Sequence, residues 1–160
     1  GNLIYYRSSG GRYFKIITNY STGSTKEVSV CINSKYANIV GLILSSNLYF
    51  WYYQIYSNNL DLKSTEISSF SVPVDLFTDE LINKLEILYQ KYLTDIEKNV
   101  SIRSTENYAN IDSFKEYKIG KSKKIIDEID DIICPLYNLS KLELDFIKKY
   151  EILYRLSDEN

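Results

Sequence analysis

The pattern of apolar and polar positions changes part-way along this chain, from short strand-like stretches to longer helical ones. Residues 3–6 and 13–18 read as two short strands. Ser8-Ser9-Gly10-Gly11 between them reads as a turn, because adjacent glycines allow positive φ. Residues 26–31 set Glu27 and Ser29 against Val28 and Val30, the period of a half-buried third strand. Ser34 can cap a helix running to about residue 45, with Ile39, Leu42 and Ile43 on its apolar side. Ser46 or Asn47 then starts a second helical stretch through residue 56. It is apolar or aromatic all round, as in an element buried on most sides, and Trp51 is assigned to the core.

Residues 62–69 read as a short helix, and 70–74 as a strand with Pro73 near its exit. Thr78 is a strong N-cap, because Asp79 and Glu80 follow it in the first turn, where the helix dipole favours carboxylates. The helix it opens should run to residue 99, about 30 Å at 1.5 Å per residue, with Leu81, Leu85, Leu88, Tyr92 and Ile96 as its apolar stripe. Residues 100–114 lack periodicity and read as an exposed connection, with a further strand at 116–119. A helix over about 123–136 carries Ile125, Ile126, Ile129, Ile132 and Ile133. Ser140 and Glu143 form a capping box for a last helix over about 141–156. The expectation is an α+β fold in which residues 1–77 form a small mixed-sheet lobe with packed helices. Residues 78–160 form a helical buttress, either separate or continuous with that lobe.

With 160 residues, 44% hydrophobic and 25% charged, the chain fits one globular domain or two lobes sharing a core. A chain that opens on Gly1 and lacks Met reads as a piece of something longer. It has no signal peptide and no long apolar run, so a cytoplasmic protein with no membrane span is expected. Cys31 and Cys134 both lie in apolar stretches and are expected to be buried, reduced thiols. Net charge is −2, but residues 1–56 carry five basic residues against Glu27 alone, a net +4, which leaves −6 for the remainder. That asymmetry suits a module presenting one face to a polyanion.

The absence of His excludes Ser-His and Cys-His nucleophile pairs and His-ligated metals. Phosphate-binding and dinucleotide-binding glycine motifs are absent too. Glu116-Tyr117-Lys118 satisfies half of a metal-dependent nuclease motif, with Asp75 as a conceivable partner, but such tripeptides are common by chance. Asp127, Glu128, Asp130 and Asp131 read as a solvated helix face rather than a cation site. No catalytic residue and no metal site is assigned.

Two segments could recognise a ligand. In Tyr5-Tyr6-Arg7-Ser8-Ser9-Gly10-Gly11-Arg12-Tyr13-Phe14-Lys15, three cations flank a glycine turn among aromatic rings. Arg can hold a phosphate or fork onto guanine, and Gly admits a close backbone approach. The same residues are equally compatible with a hairpin whose tyrosines pack inward. In Ser57-Asn58-Asn59-Leu60-Asp61-Leu62-Lys63, adjacent Asn side chains could read adenine and Lys63 could hold a phosphate, although Asn-Asn is also a good turn former. The clustered tyrosines of residues 49–56 favour core packing over base stacking. The candidate DNA-binding set is Arg7, Ser8, Arg12, Lys15, Lys26, Asn58, Asn59 and Lys63.

These segments also carry a resemblance. The first is similar to the entry of the C-terminal target-recognition domain of adenine-specific DNA methyltransferases and type IIG restriction–modification enzymes. Residues 39–73 resemble its aromatic helix, polar loop and closing Ile-x-x-Phe-x-Val-Pro, seen here as Ile67 to Pro73. The tail from Ser122 to Asp130, then Leu136-Tyr137-Asn138-Leu139-Ser140 through Ile147, with Tyr154-Arg155, is similar to the ending found behind such domains. Asn138 stands where Gly is usual; Asn tolerates the left-handed conformation, so the turn should survive. The resemblance implies a domain that is not catalytic by itself, binds double-stranded DNA, and selects the site for a catalytic methyltransferase domain of the same parent chain. It implies no cofactor here and S-adenosylmethionine in the parent. A nuclease domain can share the selection. The alternative reading is a protein-interaction or subunit-assembly module of a restriction system.

Overall fold

The computed structural model describes residues 1–9, 16–32, 34–57, 60–107 and 110–156, with the side chains at 105–107, 110–112 and 114 outside the description. The fold is α+β. Strand β1 (Asn2–Arg7) lies at the centre of an antiparallel sheet, between β2 (Ile17–Thr18) and β3 (Glu27–Ile32). The register places Tyr6 opposite both Ile17 and Val28. Alternation along β1 buries Ile4 and Tyr6 on one face, and these join Ile17, Leu44, Tyr49, Tyr53, Leu62 and Ile67 in a small core beneath the sheet. Cys31 is exposed on edge strand β3, not buried as its apolar neighbours suggested; Cys134 is buried.

Helix α1 (Ala37–Leu44) starts later than expected. Ser34 does not cap it directly: its hydroxyl accepts from Tyr36 N at 3.1 Å and its carbonyl from Ala37 N, forming a turn ahead of the helix. Ile39, Leu42 and Ile43 are all buried. Gly41 lies against the Tyr89 ring, and a Cβ there would stand 2.6 Å from the Tyr89 hydroxyl, which donates to the Ile17 carbonyl at 3.2 Å. Helix α2 (Asn47–Tyr56) follows after two residues, with the Ser46 hydroxyl accepting from Tyr49 N as its N-cap. Its Leu48, Tyr49, Phe50 and Tyr53 are buried, while Trp51 is half-buried against the main core.

After α3 (Ser64–Ser68), residues 70–74 form no strand. Pro73 donates no backbone hydrogen bond and no strand among the described residues pairs here, so the chain turns instead through a short 3-10 segment, Val74–Leu76. Phe70 still plugs the helical layer, edge-on to Tyr49 with ring centroids 5.2 Å apart. Helix α4 (Asp79–Lys98) is capped by Thr78, which accepts from Leu81 N, and buries Leu85, Leu88, Tyr89, Tyr92, Leu93 and Ile96.

Residues 100–107 and 110–114 are not a connection. They belong to β4 (Val100–Asn107) and β5 (Asn110–Tyr117), which, among the described residues, pair only with each other as an antiparallel ribbon. A 3-10 turn, Ile119–Ser122, leads to α5 (Lys123–Ile133), whose isoleucines complete the main core with α1 and α4. That core therefore draws residues from both sides of position 77. Beyond α5, a 3-10 turn takes in Pro135, and Asn138 adopts the left-handed conformation at φ 56°. The expected last helix is two: α6 (Lys141–Lys149), opened by the reciprocal Ser140–Glu143 capping box, and α7 (Ile152–Leu156), separated by Glu151 at φ 53°.

The acidic face of α5 is solvated only in part: Asp131 is exposed and Asp127 and Glu128 are half-buried, but Asp130 departs from it. Asp130 is fully buried, and its carboxylate accepts from the backbone N–H groups of Asn47 and Leu48, each at 2.9 Å. It thereby closes the N-terminus of α2, where unpaired donors and the helix dipole favour an anion. The Asn47 amide donates to Asp130 at 2.8 Å and to Asp127 at 2.9 Å, and its carbonyl accepts from buried Arg155 at 2.7 Å. Arg155 lies 4.1 Å over the Phe50 ring and also donates to the Tyr150 carbonyl. Lys123 pairs with Asp127. One buried network thus joins α2, α5 and the C-terminal segment.

Two outcomes follow from this packing. Gly41→Ala would ordinarily strengthen a helix by about 1 kcal/mol. Here it should destabilise by about 1–3 kcal/mol, with partial recovery in Gly41→Ala/Tyr89→Phe, measured by denaturant unfolding. Burial pushes the Asp130 carboxyl up to about 6, against the hydrogen bonds from Asn47, Leu48 and Cys134 that lower it. The folded state then binds this proton more tightly than the unfolded chain. The contribution is complete below the unfolded value near 4 and is lost as pH rises through about 6. Relative to an Asp130→Asn variant, the wild type should lose on the order of 3 kcal/mol across that window; parallel stability profiles between pH 4 and 7 would contradict it.

Candidate functional site

The two segments proposed for recognition meet at Ser8. As β1 ends, Ser8 N donates to the Lys26 carbonyl at 3.0 Å, and the Ser8 hydroxyl donates to the same oxygen at 3.1 Å. On its other side the Ser8 carbonyl accepts from Leu62 N at 2.8 Å, and Ser9 bridges Asp61 in antiparallel fashion. Leu62 is buried beneath the sheet, so it anchors the polar loop that follows α2. The Lys63 N–H is held by the Glu66 carboxylate at 2.8 Å, where α3 begins. Arg7, Ser8, Lys26 and Lys63 are therefore gathered at one end of the three-stranded sheet. Arg12, Lys15, Asn58 and Asn59 lie outside the described residues.

The cations at this end are not consumed by carboxylates. Among the described residues Arg7, Lys26 and Lys63 form no ion pair. The half-buried Arg7 donates from Nε to the Ser9 carbonyl at 3.0 Å. Glu27 stands opposite it in register, yet its carboxylate accepts from Ser21 Oγ at 2.6 Å, Thr22 N at 2.8 Å and the Thr22 hydroxyl. Lys26 and Lys63 are exposed. The cluster is thus open to anions on its solvent side.

Beside it runs a narrow cleft lined by Tyr5, Arg7, Thr22, Glu27, Lys115 and Tyr117, so the root of the β4–β5 ribbon borders the same end of the sheet. Glu97, near the end of α4, fixes that root. Its carboxylate accepts from Tyr20 at 2.8 Å, from the Tyr117 hydroxyl and from Lys115 at 3.2 Å. Burial pushes the Glu97 carboxyl up, but these three donors outweigh it and leave the group below its ordinary value. Nothing in the local pattern around Glu97 announced this junction; its partners stand 18 to 77 residues away.

The aromatic helix divides between the two readings. Tyr49 and Tyr53 are core residues, whereas Tyr52 is half-exposed and lies tilted against exposed Tyr56 with ring centroids 4.8 Å apart. Glu116 is paired with Arg103. Among the described residues no cluster of His, Cys, Asp or Glu could hold a metal ion, and no helix is long and apolar enough to cross a membrane. No protein-family model matches this chain, and no curated protein or solved structure matches it.

Because Glu97 is held below its unfolded value, it contributes stability above that value, lost as pH falls through the folded one. Glu97→Gln should therefore be less stable than wild type at pH 7, with the gap narrowing at acid pH as the folded carboxyl takes up its proton. An equal gap at neutral and acid pH, measured by urea unfolding, would count against this account.

Proposed function

We propose that the chain is a sequence-specific DNA-recognition domain of a cytoplasmic restriction–modification adenine methyltransferase. It is non-catalytic by itself and selects the target for an S-adenosylmethionine-dependent catalytic domain of the same parent chain. The observation that carries the reading is the lacing of Ser8 to both Lys26 and Leu62. It sets Arg7, Lys26 and Lys63 around one rigid point, unpaired among the described residues and open to an anion. Phosphate contacts of this kind set orientation, and base readout falls to neighbouring side chains. A stem of packed secondary structure is what such a loop needs, since misplacement of about 0.5 Å already weakens a site.

The experiment is a salt titration of duplex binding. Each lost phosphate contact should lower the slope of log K against log salt by about 0.9. Lys26→Ala and Lys63→Ala should each flatten the slope by about that amount and weaken binding at low salt. Unchanged affinity and slope in both variants would remove the interface and favour a protein-assembly module.

A further inference from the structure

Helix α2 turns a face made only of tyrosine toward α3. Tyr49, Tyr52, Tyr53 and Tyr56 stand at i, i+3, i+4 and i+7, the spacing that aligns side chains along one side of a helix. Together with Glu66 and Ser69 they line a cavity of about 50 Å³. Space of that size holds about three to five water-sized groups, at roughly 10–15 Å³ each. Tyr49 and Tyr53 are buried, whereas Tyr56 is 68% exposed, so the cavity opens to solvent toward the C-terminal end of α2. The Tyr52 hydroxyl lies 3.2 Å from that of Ser69, and its ring stands 6.1 Å from the Tyr49 ring. Apolar side chains would serve packing alone. Instead the buried Tyr49 hydroxyl has no hydrogen-bond partner among the described residues, an unmade bond that disfavours the empty cavity.

We propose that this cavity binds an organic ammonium group, methylated on nitrogen yet keeping one N–H, whose proton the Glu66 carboxylate accepts while the tyrosine rings enclose its methyl groups. Glu66 supplies the charge. One of its oxygens accepts from Lys63 N at 2.8 Å, and among the described residues the carboxylate forms no ion pair. Burial first, and the Glu66 charge next, push the pKa of the Tyr49 hydroxyl up, so that charge is felt inside the cavity. Tyrosine ring faces are themselves electron-rich. The lining therefore favours a cation over an anion, and its aromatic faces favour one with apolar surface. A nitrogen with two methyl groups and its chain carbon fits the space. Nothing in this requires duplex binding.

The test titrates the whole chain with protonated dimethylaminoethanol at neutral pH and constant ionic strength, following amide chemical shifts. Saturable shifts at Glu66 and Ser69, with a Kd on the order of 1–10 mM, are expected. The neutral carbon isostere, isoamyl alcohol, should bind about tenfold more weakly, and choline, which has no N–H, about threefold more weakly. Glu66→Gln keeps an acceptor for Lys63 N and removes the charge. Tyr56→Leu keeps bulk at an exposed position and removes the ring. Each should weaken the amine about threefold to tenfold, with folding intact by circular dichroism. A peptide carrying dimethylated lysine distinguishes the sources: binding about tenfold tighter than the free amine identifies a protein side chain, and equal affinity identifies a small amine. Absence of saturable binding, an isostere that binds as well as the amine, unaltered affinity in both variants, or adenosine binding as tightly as the amine would each overturn the assignment.

Discussion

The carboxylate of Asp130 at the N-terminus of α2 is the contact on which the arrangement of the molecule depends. A helix as apolar as α2 can be buried on several sides, but its first backbone N–H groups cannot be left without acceptors. The chain meets that demand with an acid on a different helix, more than eighty residues away. Asn47 extends the contact to Asp127 and Arg155, so the helix start, α5 and the C-terminal segment are fixed together. Removing one member of such a buried set typically costs 3–5 kcal/mol, because the survivors stay desolvated and unpaired. The direction of α2 sets where its far end delivers the polar loop, and that loop is what Ser8 grips. The geometry of the candidate interface thus begins at the opposite end of the helix that carries it.

Local signals in the sequence were legible wherever their partners are local. Thr78 and the Ser140–Glu143 pair cap the helices they were expected to cap, and Ser46 caps the one expected to start at 46 or 47, since each partner lies within three residues. The isoleucine stripe of α5 and the leucine–tyrosine stripe of α4 are the core they spelled out. Asn138 adopts the left-handed turn that Gly would favour. The misses are of another kind. Asp130 sits among three other acids, and only the tertiary contact distinguishes it from a solvated residue. The ribbon was overlooked because Ile102, Arg103, Ser104, Ser113 and Lys115 are exposed on both of its faces, so this part lacks the one-sided alternation that marks a half-buried strand. Residues 70–74 have strand-like composition, but a strand needs a neighbour, and Pro73 is poorly suited to one.

The candidate site was legible in part for the same reason. Its residue types are visible in sequence, and their gathering is not. Lys26 belongs to the set through its backbone carbonyl as well as its charge, a role no composition argument assigns. Leu62, an unremarkable apolar residue within a polar loop, is the pin that holds the loop to the sheet.

Trp51 has an experimental consequence. It is the sole tryptophan of the chain, it stands one turn beyond Asn47, and it is half-buried against the main core. Its indole emission therefore reports on the seating of that one helix, against a background of sixteen tyrosines spread through the molecule. Loosening at the acid-sealed helix start becomes visible as a red shift in an unlabelled sample, before the remaining layers give way.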